Sequence, residues 1–228
     1  MEKHMGTDAY QLLRHEILHG PLMPGDRLRI SELNERYRLG LTPTREALMR
    51  LASEGLVAWK SHRGGRVAPI DVEDFRDIIR TRREIGRLCL ARAIELGDAA
   101  WEAEMMRSFH LLKRTPFPDF SDAAEKTVTW ERLHREFHCA VFAACGSPWL
   151  LRFWDTLADQ AGRYRKLLLV HAGAGPAVVH DFNREHEEIM HAVIARDLPA
   201  AIALQDRHFT QTEEAVARLV DRSVRSTA

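Results

Sequence analysis

Cysteine is scarce in this chain. Cys89, Cys139 and Cys145 are odd in number and show no C-x-x-C spacing. Neither a disulfide framework nor a thiolate zinc site is indicated, and a reducing compartment is the simplest setting. Long apolar runs are missing too. None approaches the ~20 residues a membrane helix needs, and no charged segment followed by an apolar core opens the chain. The expectation is a soluble cytoplasmic protein with no membrane partner. An excess of either charge is also lacking, because 33 basic and 33 acidic residues cancel. The chain as a whole therefore advertises no polyanionic partner. Nothing is repeated or of low complexity.

The charge balance conceals an asymmetry. Residues 1–70 hold 11 basic and 8 acidic groups, against 22 and 25 in residues 71–228. A mildly basic front joined to a mildly acidic remainder fits a nucleic-acid module attached to something else.

In the front part, Tyr10, Leu13, Ile17 and Leu18 fall near helical spacing and predict an amphipathic helix over Thr7–His19, ended by Gly20-Pro21. Two prolines and a glycine make Pro21–Arg27 a turn, and Leu28 and Ile30 a brief extended piece. Ser31 is the expected N-cap of a helix over Glu32–Arg38. Thr42 is the expected cap of the next, with Pro43 in the first helical position, where its missing N–H costs nothing. Ala47, Leu48, Leu51 and Leu56 would face the core. Leu56–Trp59 then reads as a strand, Ser61–Gly65 as a hairpin tip and Arg66–Ile70 as its return. Three helices and a β-hairpin make a winged helix-turn-helix.

From residue 71 onward the pattern is helical. Helices are expected near Val72–Leu96, Ala99–Lys113, Asp122–Cys145, Pro148–Val170, Ala177–Arg196 and Pro199–Arg222, separated by glycine- and proline-marked breaks. Six helices with no strand pattern predict an antiparallel bundle. The fold class is therefore mainly α: a winged helix over 1–70 and an all-helical domain over 71–228.

Helix-turn-helix proteins read base edges from the start of their second helix and hold phosphates with flanking residues. Thr42, Thr44 and Arg45 occupy that reading end. Arg45 could grip a guanine or a phosphate, whereas Arg50, further along, suits the backbone. His62, Arg63 and Arg66 surround Gly64-Gly65 in the expected wing. Taken singly, each arginine could equally be part of a solvated face.

The segment TPTREALMRLASEGLV, followed by RGGRVAPI, resembles the GntR family of bacterial repressors. Their reading segment runs S-R-T-P-V-R-E-A-L-x-R-L-x-x-x-G-L-V. Thr42, Pro43, Arg45, Glu46, Ala47, Leu48, Arg50, Leu51, Gly55, Leu56 and Val57 match it. Gly40-Leu41 stands where Ser-Arg is usual, and Thr44 where Val is usual, so the operator is expected to differ from the common half-site. The helical remainder resembles the FadR type, with its FCD domain. That resemblance rests on His134-Arg-Glu-Phe137-His138, Cys145-Gly146-Ser147, Glu185-His186 and His208, with His134 replacing the family's more frequent Asp.

What the resemblance implies is a metal site of His134, His138, His186 and His208. Residues four apart share a helical face, so His134 and His138 can offer imidazoles to one ion. Imidazole suits zinc, nickel, copper or iron, with zinc or nickel the first candidates for this divalent transition metal. Neutral ligands leave the ion's charge in place to attract an anion, and the effector expected is a small carboxylate that completes the metal's shell. Twelve histidines make one pair at this spacing unsurprising, and His15–His19 is another. A metal-free pocket in which the histidines bond a carboxylate directly stays open. His110, His180 and His191 match no ligand position. Arg82 and Arg163 are the candidate effector-binding arginines, by position in the family pattern, although Gly86 stands where a Glu usually follows Arg82. Trp130, Phe137, Phe142, Trp149, Phe153 and Trp154 are expected to be mostly core.

The reading is a ligand-responsive, homodimeric transcriptional repressor that binds double-stranded operator DNA; it is not an enzyme. Dimerisation is expected because paired reading helices must meet two half-sites. The rivals are a metal-dependent enzyme, for which no base such as the Glu of H-E-x-x-H is in place, and an activator with a metal-free or structural-metal pocket.

Overall fold

The computed structural model describes the backbone of residues 2–60, 64–118, 124–171 and 181–226. It divides into two compact units, Met1–Asp71 and Val72–Ala228.

In the first unit, helix α1 (Glu2–Leu18) is followed by strand β1 (Arg27–Leu28), helices α2 (Ile30–Tyr37) and α3 (Leu41–Ser53), and strands β2 (Val57–Lys60) and β3 (Gly64–Val67). The apolar stripes of the three helices meet. Ala9, Leu13, Ile17, Leu33, Ala47, Leu48, Leu51 and Leu56 form a core that Val57 and Val67 close from the sheet. The sheet is antiparallel, in the order β1-β3-β2, with Arg27 opposite Arg66 and Trp59 opposite Gly65. A Cβ on Gly65 would lie 3.0 Å from the Trp59 ring, so a glycine is needed there for the indole to lie across the strand. The brief extended piece is thus a true third strand, and the return strand ends at Val67 rather than Ile70.

Two expected caps are not used. α2 begins after Arg29 and α3 after Gly40, neither with a side-chain cap bond, so Ser31 and Thr42 lie inside their helices. At the start of α3 the turn from α2 takes the place of a side-chain cap. Arg38 adopts a left-handed conformation with φ of 55° and Gly40 has φ of 85°. Asn34 clasps both: its carbonyl accepts from the Arg38 N–H at 2.8 Å and its Oδ1 from the Gly40 N–H at 2.6 Å. The resulting bend sets the angle at which α3 leaves α2.

The second unit comprises α4 (Val72–Leu96), α5 (Ala99–Arg114), α6 (Ala124–Phe142), a single 3-10 turn (Ala143–Cys145), α7 (Pro148–His171), α8 (Phe182–Ile194) and α9 (Leu198–Ser226). The stops are polar and local. Asp98 caps α5 by accepting from the Trp101 N–H at 2.9 Å, Asp181 caps α8 through the Arg184 N–H at 3.1 Å, and Gly146 takes a left-handed φ of 65° after the 3-10 turn. α4 is the central helix, packed against α7 and α9, while α5 packs on α6 and α8 on α9. Trp101 ties α5 to α6 by donating its indole N–H to the Ala140 carbonyl at 2.8 Å. Trp130, Phe137, Phe142 and Trp154 are buried as expected, but Trp149 and Phe153 are 63% and 51% exposed. They sit on the outer side of α7, where apolar periodicity alone does not separate a core face from a surface one.

Candidate functional sites

α3 is amphipathic in a way that sorts the candidate reading residues. Its buried face is Thr44, Ala47, Leu48 and Leu51, and its solvent face carries Leu41, Thr42, Arg45, Glu46 and Met49. Thr42 and Arg45 are thus placed where a groove could meet them. Thr44 is fully buried, and its hydroxyl donates to the Gly40 carbonyl at 2.6 Å. This corrects its assignment as a base-reading residue. Thr44 fills core space and satisfies its hydroxyl locally.

Arg50 lies over the Tyr10 ring at 3.7 Å and within 3.4 Å of Glu54, whose carboxylate also accepts from the Tyr10 hydroxyl at 2.9 Å. It braces α3 against α1 while keeping an exposed side chain. Arg66 is exposed, and its guanidinium donates to the Gly25 carbonyl at 2.9 Å. His62 and Arg63 lie outside the described residues. A concave surface joins Arg27, Arg29, Ser31, Trp59 and Arg66 around the start of α2. Arg27 and Arg29 lie before the matched segment; the β1–β3 pairing sets Arg27 opposite Arg66, and Arg29, paired with Glu32 at 2.5 Å, lines the same surface.

In the second unit, α6, α8 and α9 bring the four histidines together. His134, His138, His186 and His208 are all buried, and their candidate ligand atoms lie within 4.8 Å of one another. His138 Nε2 stands 3.2 Å from both His134 Nε2 and His186 Nε2. The outer nitrogens fix the tautomers. His186 Nδ1 faces the Phe182 carbonyl at 2.6 Å and His208 Nδ1 faces the Glu185 carboxylate at 2.7 Å. Each of those nitrogens must carry the proton, which in the neutral ring leaves the Nε2 lone pair turned inward. Burial, and then the neighbouring His138, hold His134 well below the usual histidine range; burial and then His186 do the same to His138. The Nε2 lone pairs of His186 and His208 thus face a buried pocket, and His134 Nδ1 has no hydrogen-bond partner. This donor set suits a transition-metal cation.

The walls are aromatic. Trp130 stacks on His134 at 4.8 Å, and Phe137 meets His186 edge-on at 5.1 Å. Arg82 of α4 is 4% exposed, and its guanidinium lies over Trp154 at 4.5 Å and Phe209 at 4.8 Å. Among the described residues it has no carboxylate partner, and its Nε is unbonded. Burial, then the nearby Arg165, lower its pKa to about 9. Arg165, absent from the sequence-based candidates, is buried beside the same cluster and forms a two-pronged pair with Glu131 at 3.1 and 3.3 Å. Arg163 is also buried, but it meets Gln160 at 2.7 Å and the Tyr164 ring, whose hydroxyl bonds Asp74. Glu185 carries the family resemblance but is not among the ligand candidates. Its position next to a ligand histidine is visible in the sequence, but its partnership with His208, 23 residues away, is not.

A small winged helix whose α3 keeps one face in solvent, joined in one chain to a helical bundle that buries a polar pocket, has the architecture of a DNA-binding transcriptional regulator. The comparisons name the lineage. Residues 6–67 match the model of the bacterial regulatory proteins of the gntR family, and residues 77–211 match the FCD domain. The chain belongs to the GntR family of transcriptional regulators, in its FadR-like, FCD-containing branch.

Among its relatives is the HTH-type transcriptional repressor GlaR of Escherichia coli (strain K12), 35% identical over 88% of this chain and 90% of that one. The regulator BphR of Paraburkholderia xenovorans (strain LB400) is 34% identical over 88% and 80%. Of solved structures, E. coli McbR/YncC superposes with a TM-score of 0.75 at 20% identity, covering 96% of this chain and 98% of that one. These are regulators rather than enzymes, and no helix among the described residues is long and apolar enough to cross a membrane.

Proposed function

We propose that this protein is a cytoplasmic, homodimeric repressor that leaves its operator when a small organic acid enters the helical domain. The repressor sign is supported by the 35% identical relative that bears that name. The observation that carries the sensing role is the pairing of four buried imidazoles with a buried arginine, Arg82, that has no carboxylate partner among the described residues. A desolvated guanidinium is costly unless an anion meets it, and its planar fork is matched to a carboxylate.

His134, His138, His186 and His208 would hold a divalent transition metal, zinc or nickel first among them. When bound, such an ion supplies a second positive centre for the acid. Glu185 and the Phe182 carbonyl orient two of the ligands, Trp130 and Phe137 exclude water, and Arg82 receives a carboxylate. Arg163 is the second arginine for an extended acid. Thr42 and Arg45 read bases, with Arg66, Arg50 and the wing residues His62 and Arg63 on the backbone. The acid shifts the spacing of the paired winged helices by its differential affinity for the two states.

The test is a DNA-binding titration of purified protein with di- and hydroxy-acids, beside metal analysis of the same sample. Release by one acid class, lost in Arg82→Met and His138→Ala with the fold intact, is the expected result. An acid response undiminished in both variants overturns the pocket as the sensor, and an acid response in protein proven metal-free overturns the metal's part in it.

A further inference from the structure

Among the described residues of the first unit, the large apolar side chains left strongly exposed are Leu41 and Met49, at 59% and 49%. Scattered exposed leucines are ordinary on protein surfaces. These two are not scattered: both stand on α3, four residues to either side of the exposed Arg45, so Leu41, Arg45 and Met49 form one solvent-facing stripe. Leu41 is the first residue of the helix, fixed in place by the Asn34-clasped turn at Gly40. The N-terminal residues of a reading helix are the ones that reach base edges, while positions two turns further on rise toward the backbone. A leucine at the reading end can accept or donate nothing. The major groove offers it one apolar feature, the C5 methyl group of thymine.

We propose that Leu41 is a specificity-determining residue that packs on a thymine methyl, so that the preferred duplex carries T·A at the base pair it covers. This rests on α3 being the DNA-reading helix. The contact replaces a charged or hydrogen-bonded reading of that pair with a steric, apolar one. A cytosine or adenine there presents an amino group that the leucine would desolvate without pairing, and a guanine presents acceptors that it would leave unmet.

The experiment takes the full-length protein, selects its preferred duplex from a random pool, and replaces each thymine in turn by deoxyuridine, which removes only the methyl group. At one thymine in each half-site the replacement is expected to weaken the wild-type protein about fourfold, the equivalent of uncovering one methyl. Leu41→Ala, whose folding is checked by its melting curve, is expected to keep the rest of the preferred sequence and to bind thymine and uracil duplexes alike. In Leu41→Arg the preference at that pair is expected to move from T·A to G·C. A wild-type protein indifferent to every thymine methyl overturns the contact while leaving the reading helix intact. So does methyl dependence that survives undiminished in Leu41→Ala. A protein with no preferred duplex at all overturns the reading role itself.

Discussion

At position 45 an exposed guanidinium stands on the solvent side of α3. Its removal in Arg45→Ala is expected to cost about 1–3 kcal/mol of operator binding and to relax selectivity at one base pair, measured by anisotropy on matched and mutated duplexes. One residue earlier, Thr44 is buried with its hydroxyl turned to the Gly40 carbonyl. Thr44→Val should therefore leave DNA affinity unchanged and alter stability by less than about 1.5 kcal/mol, set by one local hydrogen bond. A large loss of sequence preference in that variant would show the threonine reaching the groove after all. Glu185 accepts from His208 Nδ1. In the proposed metal site, Glu185→Gln keeps the shape but removes the charge that orients and enriches the imidazole, so metal affinity, followed by competition with a chelating dye, is expected to fall about 10–100-fold. An unchanged affinity would make the carboxylate a purely structural partner of its histidine.

Among elements, helix ends were legible wherever the chain spells its own stop. Gly97-Asp98 divides α4 from α5 and Asp197 precedes α9, because a capping carboxylate or a glycine acts within a few residues of where it stands. Less legible were ends set by contacts made across a turn. Thr42 looks like a cap, yet Asn34 holds the corner before α3 with its backbone and side chain together, a device with no fixed sequence signature. The same limit applies to the buried histidine pocket. The i,i+4 pair on α6 can be read from the chain, but Arg165, Glu131 and Glu185 join the pocket only through tertiary packing. Close packing also explains Gly97. A Cβ there would lie 2.0 Å from the Trp101 ring and 2.7 Å from the Ala93 carbonyl. Gly97→Ala is thus expected to destabilise the protein by about 1–3 kcal/mol, read from chemical denaturation, because the indole that holds α5 to α6 must move.

For the whole molecule, the formal charge sums to zero while the first 70 residues carry the basic excess. DNA affinity should fall steeply with salt, with a slope near −0.9 for each phosphate neutralised, although net charge predicts no attraction. Light scattering is expected to return twice the 26.1 kDa chain mass, since a single reading helix meets only one half-site. A strictly monomeric protein that binds its operator at full affinity would contradict the paired arrangement. Buried unpaired cations are a stability cost at this scale too. Arg82→Met is expected to melt no lower than wild type while losing its answer to acids, a trade of stability for sensing.

The bracing of α3 has one more consequence. Its inward face is committed to the core, and its far end is held to α1 by Arg50, Tyr10 and Glu54. Positions 41, 42, 45, 46 and 49 are left outside those contacts. With α3 as the proposed DNA-reading helix, substitutions there redirect the protein to new genomic addresses without unsettling the scaffold, so a descendant's recognition sequence can drift quickly while its architecture stays still.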